Sequence, residues 1–543
     1  MKETEFNLLD EPWIRVMDAQ CKVQEMSLTD VLIHAHEYKS LSGELPTQDV
    51  AILRLLLAVL HTVFARVDAR GNPHRLEDEE EAVEFWHELW EQGKLPEQPI
   101  RTYLEQWHER FWLFHPERPF AQVADLKCNK RYETAKLNGE ISESGNKKRL
   151  FSSYCGSLKS SLTYAQAARW LISLKSFDDN ALKETTENKT LNAGKEKGKS
   201  PGVGWLGKLG IVYLCGDTLF ETLLLNLVLV NDGNVQNRAV PLWERPNVPY
   251  GERIEIVMPD NLAELYTLES RRVLLMREQD KVNNYMVIFG DFFEKTNAFF
   301  EPMTIWNVPK AKKNQQPDYI PKCHEPSKQM WREFSVIYEH SAKKTAGVIR
   351  WFKEFLVDKI DRSYMMRTRA VSVYYLGSQN SAVENIFFDT LSFHARILSE
   401  LGADLRSDIQ TEIQKCEQLA NAVGHLARHL HIAEGGSDNS CEFAVNTAKE
   451  QLYYHLDMPF REWLVSIEPD EDGDVDADIF PNWQKTAQNI AFRYARELCE
   501  YASDAAMTGH LIGRDGEKKV LYSAPNAIRI FGREVYKIYQ TLR

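Results

Sequence analysis

The hydrophobic positions of this chain change rhythm along its length. From Asp49 to Ala65 the sequence DVAILRLLLAVLHTVFA is apolar almost all round, the pattern of a helix buried on every side. Before it, Phe6 to Val16 reads as a short strand and turn with Pro12 and Trp13 at its middle, and Ser27 caps a helix beginning at Leu28. After it come an acidic amphipathic helix over Leu76–Gln92, a second over Pro99–Trp112, and a third over Leu162–Leu174. Ile211 to Val230 is strongly apolar, with helical spacing at Leu219, Leu223, Asn226 and Leu227. Residues 251–310 alternate instead, so GERIEIVMP, RRVLLMRE and YMVIFGD are strand candidates.

Near residue 380 the pattern becomes almost wholly helical: Asn385–Leu401, Ser407–Ala433, Cys441–Leu464, Trp483–Ala502 and Asn526–Thr541. Leu419, Val423, Leu426 and Leu430 form an apolar stripe at three and four spacing, as in an antiparallel bundle. The expected fold class is α+β. A mixed α/β body with long functional loops spans 1–385, and a C-terminal four-helix bundle spans 386–543.

A chain of 543 residues exceeds one hydrophobic core, in keeping with that division. Its net charge of −13 argues against a protein coated by nucleic acid on all sides, while permitting local basic loops. The eight cysteines are scattered without a CxxC pair, so no thiolate zinc site and no metal or cofactor is expected. The N-terminus is acidic and no uncharged apolar stretch approaches a membrane span, so a cytoplasmic protein without membrane contact is expected.

Candidate chemistry is confined to loops. Lys183 to Gly210 places Lys189, Lys195, Lys197 and Lys199 on a glycine-broken segment ending in Pro201-Gly202-Val203-Gly204-Trp205. Glycine permits close approach to a ligand and lysine attracts phosphate, although a lysine-rich surface linker has the same composition. Residues 137–150 form a second loop, with Lys147, Lys148 and Arg149 in succession; the polar, proline-rich stretch Pro302–Lys328 is a third. Arg367 and Arg369 lie on a strand-like stretch before the polar turn Gly377-Ser378-Gln379-Asn380-Ser381, which reads either as a wedge against duplex or as a domain-junction turn. Arg271 and Arg272 are either a surface pair on a strand or a basic finger. His425 and His429 stand one helical turn apart without a third ligand, and the aspartates from Asp470 to Asp478 lack the glycine and glutamate spacing of a calcium loop. No GxSxG, Walker A or paired-acid site with a positioned partner is present, so an enzyme is not expected.

Several of these stretches occur in a telling order: Asn7-Leu8-Leu9 with Pro12-Trp13-Ile14, His115-Pro116-Glu117-Arg118-Pro119-Phe120, and Ser144-Gly145-Asn146 with Leu150-Phe151. They continue with Leu162-Thr163 and Ala167-Ala168, the glycine loop, Leu265-Tyr266-Thr267 with Ser270-Arg271-Arg272, and the Gly377–Asn380 turn. Together they resemble, over the full length, the large subunits of the type I-E CRISPR Cascade complex, the CasA (Cse-type) family of antiviral defence. The resemblance implies a non-catalytic subunit that inspects the protospacer-adjacent motif (PAM) of double-stranded target DNA from the minor groove, starts the R-loop and recruits a helicase-nuclease. Its implied partners are crRNA, target DNA, the backbone, small and 5′-handle-binding Cascade subunits, and that helicase-nuclease.

Carried over by motif, the DNA-reading loop falls on Gly202, Val203, Gly204 and Trp205, and the basic finger on Arg271 or Arg272. The wedge falls on Gln379 or Asn380. The handle-proximal loop falls on about Asn138–Phe151, with Asn146 and Phe151 as anchors beside Lys147, Lys148 and Arg149. Lys195, Lys197, Lys199, Arg367 and Arg369 are auxiliary basic contacts. A few loop contacts suit a reader that must release non-target DNA, and minor-groove readout tolerates related motifs. The competing readings are a structural scaffold whose basic loops bridge partners without reading DNA, and a nuclease with an unrecognised site.

Overall fold

The computed structural model describes residues 4–138, 160–181, 202–246, 259–291, 300–307, 320–335, 345–375, 377, 382–512 and 519–539. The chain divides into two compact units. The first comprises Met1–Lys328, Glu339–Lys359 and Arg367–Thr390; the second comprises Gln329–Tyr338, Ile360–Met366 and Leu391–Arg543.

The first unit is organised around the all-apolar segment, which forms the helix Pro46–Phe64 with Pro46 in its first turn. This helix is long and apolar enough to cross a membrane by composition, yet 94% of its apolar window is buried inside the protein. It packs against the helices Tyr164–Phe177 and Leu262–Tyr266. Tyr164–Phe177 begins with a capping box, in which Thr163 and Gln166 satisfy each other's backbone N–H groups. The expected acidic helix is Glu79–Glu91, capped by Asp78, and its apolar face includes Trp86, whose indole N–H donates to the Leu224 carbonyl at 2.8 Å.

Two three-stranded sheets carry the residues singled out above. One orders Arg271–Glu278, Lys281–Phe289 and Tyr132–Glu133; the other orders Val383–His394, Met365–Tyr375 and Ile211–Cys215. RRVLLMRE and YMVIFGD are therefore strands as expected, whereas GERIEIVMP lies outside the described residues apart from Pro259.

One helix expectation, Asn385–Leu401, is corrected, and one apolar run is resolved: Ile211–Cys215 is a buried strand, and the helical spacing from Leu219 forms the helix Leu219–Leu225, capped by Thr218. The β-branched Ile211 and Val212, followed by Tyr213, favour a pleated conformation that ends at Gly216. Asn385–Leu401 is a strand through His394 followed by a 3-10 turn, and the junction expected at 385/386 lies inside that strand. Ile386, Phe387, Phe388 and Thr390 again favour the sheet.

In the second unit four long helices run over Ala403–Ala433, Glu442–Val465, Ile479–Glu500 and Ala524–Tyr539. The stripe Leu419, Val423, Leu426 and Leu430 is buried as the spacing predicts. The Trp463 and Trp483 rings stack at 5.1 Å, with Phe460 edge-on to both. The Oε1 atom of the buried Glu412 accepts from Lys415 at 2.8 Å and from Gln484 at 2.7 Å, which pairs its charge inside the bundle.

Candidate nucleic-acid interface

The helix Tyr164–Phe177 stops at Asp178, where the backbone turns extended, and the chain continues through Asp179 and Asn180 to Ala181. It re-enters the described region at Gly202. The two ends are tied together: the Gly202 N–H donates to Asn180 Oδ1 at 3.1 Å, and the Gly204 N–H donates to the Asp178 carbonyl at 2.9 Å. Residues 182–201, including Lys195, Lys197 and Lys199, lie outside the described residues.

Arg271 joins this clasp. Its Nε donates to Asp178 Oδ2 at 2.5 Å, while Nη2 donates to the carbonyls of Asp179 at 2.8 Å and Gly202 at 2.9 Å. The guanidinium also lies over the Phe289 ring, 5.0 Å from its centre. Arg272 takes the other side of the strand, donating to Asp291 and to the Glu269 carbonyl. Side-chain exposures of 1% and 0% correct both sequence readings: Arg271 and Arg272 are neither a surface pair nor a projecting finger in this structure. Their charges are drawn inward by Asp178 and Asp291.

The buried charge continues below them. Lys175, also buried, donates to Glu269. Burial alone would raise the Glu269 carboxyl, but Lys175 and Arg272 beside it prevail and hold it at about 2.

The glycine loop divides into an exposed edge and a packed root. Gly202 is half-buried with φ +103°, a conformation that side chains rarely adopt. The Lys208 ammonium lies 3.6 Å from where a Gly202 side chain would begin. Gly204 is glycine for a different reason: a Cβ there would stand 2.4 Å from the Ser176 carbonyl oxygen. Val203 is buried, and Trp205 is only 2% exposed. The Trp205 indole N–H donates to Glu301 Oε2 at 2.8 Å, and Glu301 is itself gripped by Arg54 of the central helix at 2.7 and 2.9 Å. Val203, Gly204 and Trp205 are thus the packed root of the loop and not an exposed tip. Lys208 was not among the sequence candidates; its place in the same glycine-rich segment is the signal that points to it.

Arg367 and Arg369 lie on the Met365–Tyr375 strand, opposite Cys215 and Tyr213. They sit apart from the clasp, in a pocket of their own. Gly377 has φ +65°, in keeping with a tight turn, while Gln379 and Asn380 lie outside the described residues. So do Asn146, Lys147, Lys148, Arg149 and Phe151. The described stem of that second loop ends at Asn138, and Lys136 within it lies 3.9 Å from Asp179. In the second unit His425 pairs with Glu534 at 3.1 Å and His429 packs on the Tyr522 ring, while Asp470 accepts from the backbone of Asp472 and Asp474.

Comparison with known proteins agrees with this architecture. The chain is 28% identical over 534 residues to the CRISPR-associated protein CasA/Cse1 of Thermus thermophilus, covering 94% of this chain and 98% of that one. It is similar to the crystal structure of Thermobifida fusca Cse1, with a TM-score of 0.82, 28% identity and 98% of both chains covered. The fold also matches a chain of a CRISPR RNA-guided surveillance complex, with a TM-score of 0.66, 17% identity, and 99% and 100% of the two chains covered. The family model for CRISPR-associated protein Cse1 matches residues 7–494. By that match the chain belongs to the CRISPR-associated Cse1 family.

Proposed function

We propose that this protein is the non-catalytic large subunit of a type I-E CRISPR surveillance complex, reading the PAM of double-stranded DNA through the loop that ends at Gly202. The observation that carries the reading is the clasp. Arg271, Asp178 and Asn180 hold both ends of a lysine-bearing segment on a buried ionic base, with Gly202 and Lys208 at its half-buried edge. A packed root joined to a lysine-bearing segment supplies a few contacts to the groove and phosphates without a broad basic face.

In this reading Arg271 acts by positioning the loop, Gly202 gives the backbone its approach, and Lys208 with Lys195, Lys197 and Lys199 supplies positive charge. Gln379 or Asn380 enters the duplex as the wedge that begins the R-loop. The loop carrying Asn146, Lys147, Lys148, Arg149 and Phe151 meets the 5′ handle of the crRNA or its neighbouring subunit. The C-terminal bundle adjoins the small subunits, and the assembled protein recruits the helicase-nuclease in the cytoplasm.

The deciding experiment uses the reconstituted complex with Gln379 and Asn380 both replaced by alanine. Initial binding of PAM-bearing duplex is expected to persist in a gel shift, while permanganate-detected strand opening falls. Equal loss in both assays overturns the wedge role. DNA retention that is indifferent to PAM and to salt favours the scaffold reading instead.

A further inference from the structure

A second basic feature lies away from the clasp. The strand Met365–Tyr375 presents Arg367 and Arg369, two residues apart and hence on one face, opposite Cys215 and Tyr213 of the neighbouring strand. Both arginines line a cavity of about 220 Å³ that is also walled by Lys39, Asp49 and Thr222. That volume is below the ~300–1,000 Å³ usual for whole small-molecule ligands, and is better matched to one compact group.

The charges in this cavity are unbalanced. Three cationic side chains face it, against the single carboxylate of Asp49. Asp49 is already engaged by the Gly43 N–H at 2.7 Å, and burial pushes its carboxyl up to about 6. The Cys215 thiol, raised by burial to about 11, adds no negative charge at neutral pH. Arg367 leans to the rim, where it meets the exposed Asp217 at 2.7 Å. Arg369 lies deeper and shares a hydrogen bond with the Tyr213 hydroxyl, while its Nε is buried without an acceptor among the described residues. Two arginines and a lysine around one cavity present the donors that a tetrahedral oxyanion accepts together.

We propose that the Lys39–Arg367–Arg369 cavity is a phosphate-binding site, taking either the terminal phosphate of a nucleotide or a backbone phosphate of a nucleic-acid strand. The assignment uses none of the clasp residues and is read on the isolated chain; it gives the basic contacts expected of Arg367 and Arg369 a defined pocket and ligand class.

The experiment is calorimetric titration of the full-length chain with three probes: inorganic phosphate, adenosine 5′-monophosphate, and a short single-stranded oligonucleotide lacking terminal phosphates. Binding by at least one probe is expected, weakened about tenfold by Arg369→Gln, the effect of one lost charge-assisted hydrogen bond. Lys39→Gln, on an exposed side chain, weakens it to a smaller degree, and Asp49→Asn strengthens it. Preference for the monophosphates assigns a free nucleotide; preference for the oligonucleotide assigns a strand. Unchanged affinity in both Arg369→Gln and Lys39→Gln, or failure of all three probes to bind, overturns the site. If Arg369→Gln loses its cooperative melt, the double variant Lys39→Gln with Arg367→Gln decides in its place.

Discussion

Arg271 reaches back 69 positions to the carbonyl oxygen of Gly202, meeting it at 2.9 Å, with the Asp178 carboxylate bound to the same guanidinium. One planar fork therefore fixes both the helix end and the loop end. Lysine carries the same charge but not the fork. Arg271→Lys is expected to impair PAM-duplex binding by the assembled complex nearly as much as Arg271→Gln, and about equally across PAM variants. Retention of binding by the lysine variant alone would indicate a direct phosphate contact instead.

Gly204 and Gly202 separate packing from conformation. Gly204→Ala places a methyl 2.4 Å from the Ser176 carbonyl, so the loop root must move away from the helix. A loss of about 1–3 kcal/mol, typical of overpacking, is expected in urea unfolding of the first unit's transition. Among the described residues Gly202→Ala meets only Lys208, at ordinary contact distance, and is opposed mainly by its positive φ, so it is expected to cost about 1 kcal/mol. Equal stability of the two variants would contradict this division.

Glu269 neutralises Lys175 and lies 3.6 Å from the Arg272 guanidinium within the protein. Glu269→Gln leaves that positive charge uncompensated and is expected to cost about 3–5 kcal/mol in denaturant unfolding. The native carboxyl titrates at about 2 against an ordinary 4.5. Its stabilising contribution is therefore complete above pH 4.5 and lost as pH falls through 2. The variant should lack that acid-dependent component, which a comparison of stability against pH for the two proteins measures.

His61 lies on the central helix against the Tyr266 ring at 5.8 Å, and neither ring nitrogen has a hydrogen-bond partner among the described residues. Burial pushes it down from 6.5 to about 3, so the folded protein keeps it neutral where the unfolded chain is protonated. Its contribution to stability is full above pH 6.5 and is lost as pH falls toward 3, at a limiting slope of about 1.4 kcal/mol per pH unit. His61→Leu should flatten the stability profile between those values by up to one proton. An unchanged slope would show that the imidazole is solvated in solution.

The helical scaffold was legible because its signals are local. The all-apolar run from Asp49, the Thr163–Gln166 box and the Leu419–Leu430 stripe each specify a helix from adjacent residues. The sequence leaves Ile211–Cys215 open and misleads toward helix over residues 385–394, because a continuous or aromatic-rich apolar run fits either periodicity, and β-branched and aromatic content decided it. The site was legible as a set of loops but not as a geometry. Nothing near Arg271 in sequence announces Asp178, 93 positions away, and nothing near Trp205 announces Glu301, 96 positions away. Exposed-looking polar residues became a buried ionic base through those distant partners.

The closed clasp between Asn180 and Gly202 also bears on how such a protein diversifies. Because the two ends meet on the scaffold itself, the gap that any chain between them must close is set by the clasp. Doubling the length of that chain costs only about 0.6 kcal/mol in closure entropy. The clasp thus offers two fixed attachment points, and a chimera that exchanges the span between them with a relative's is expected to unfold at an unchanged denaturant midpoint.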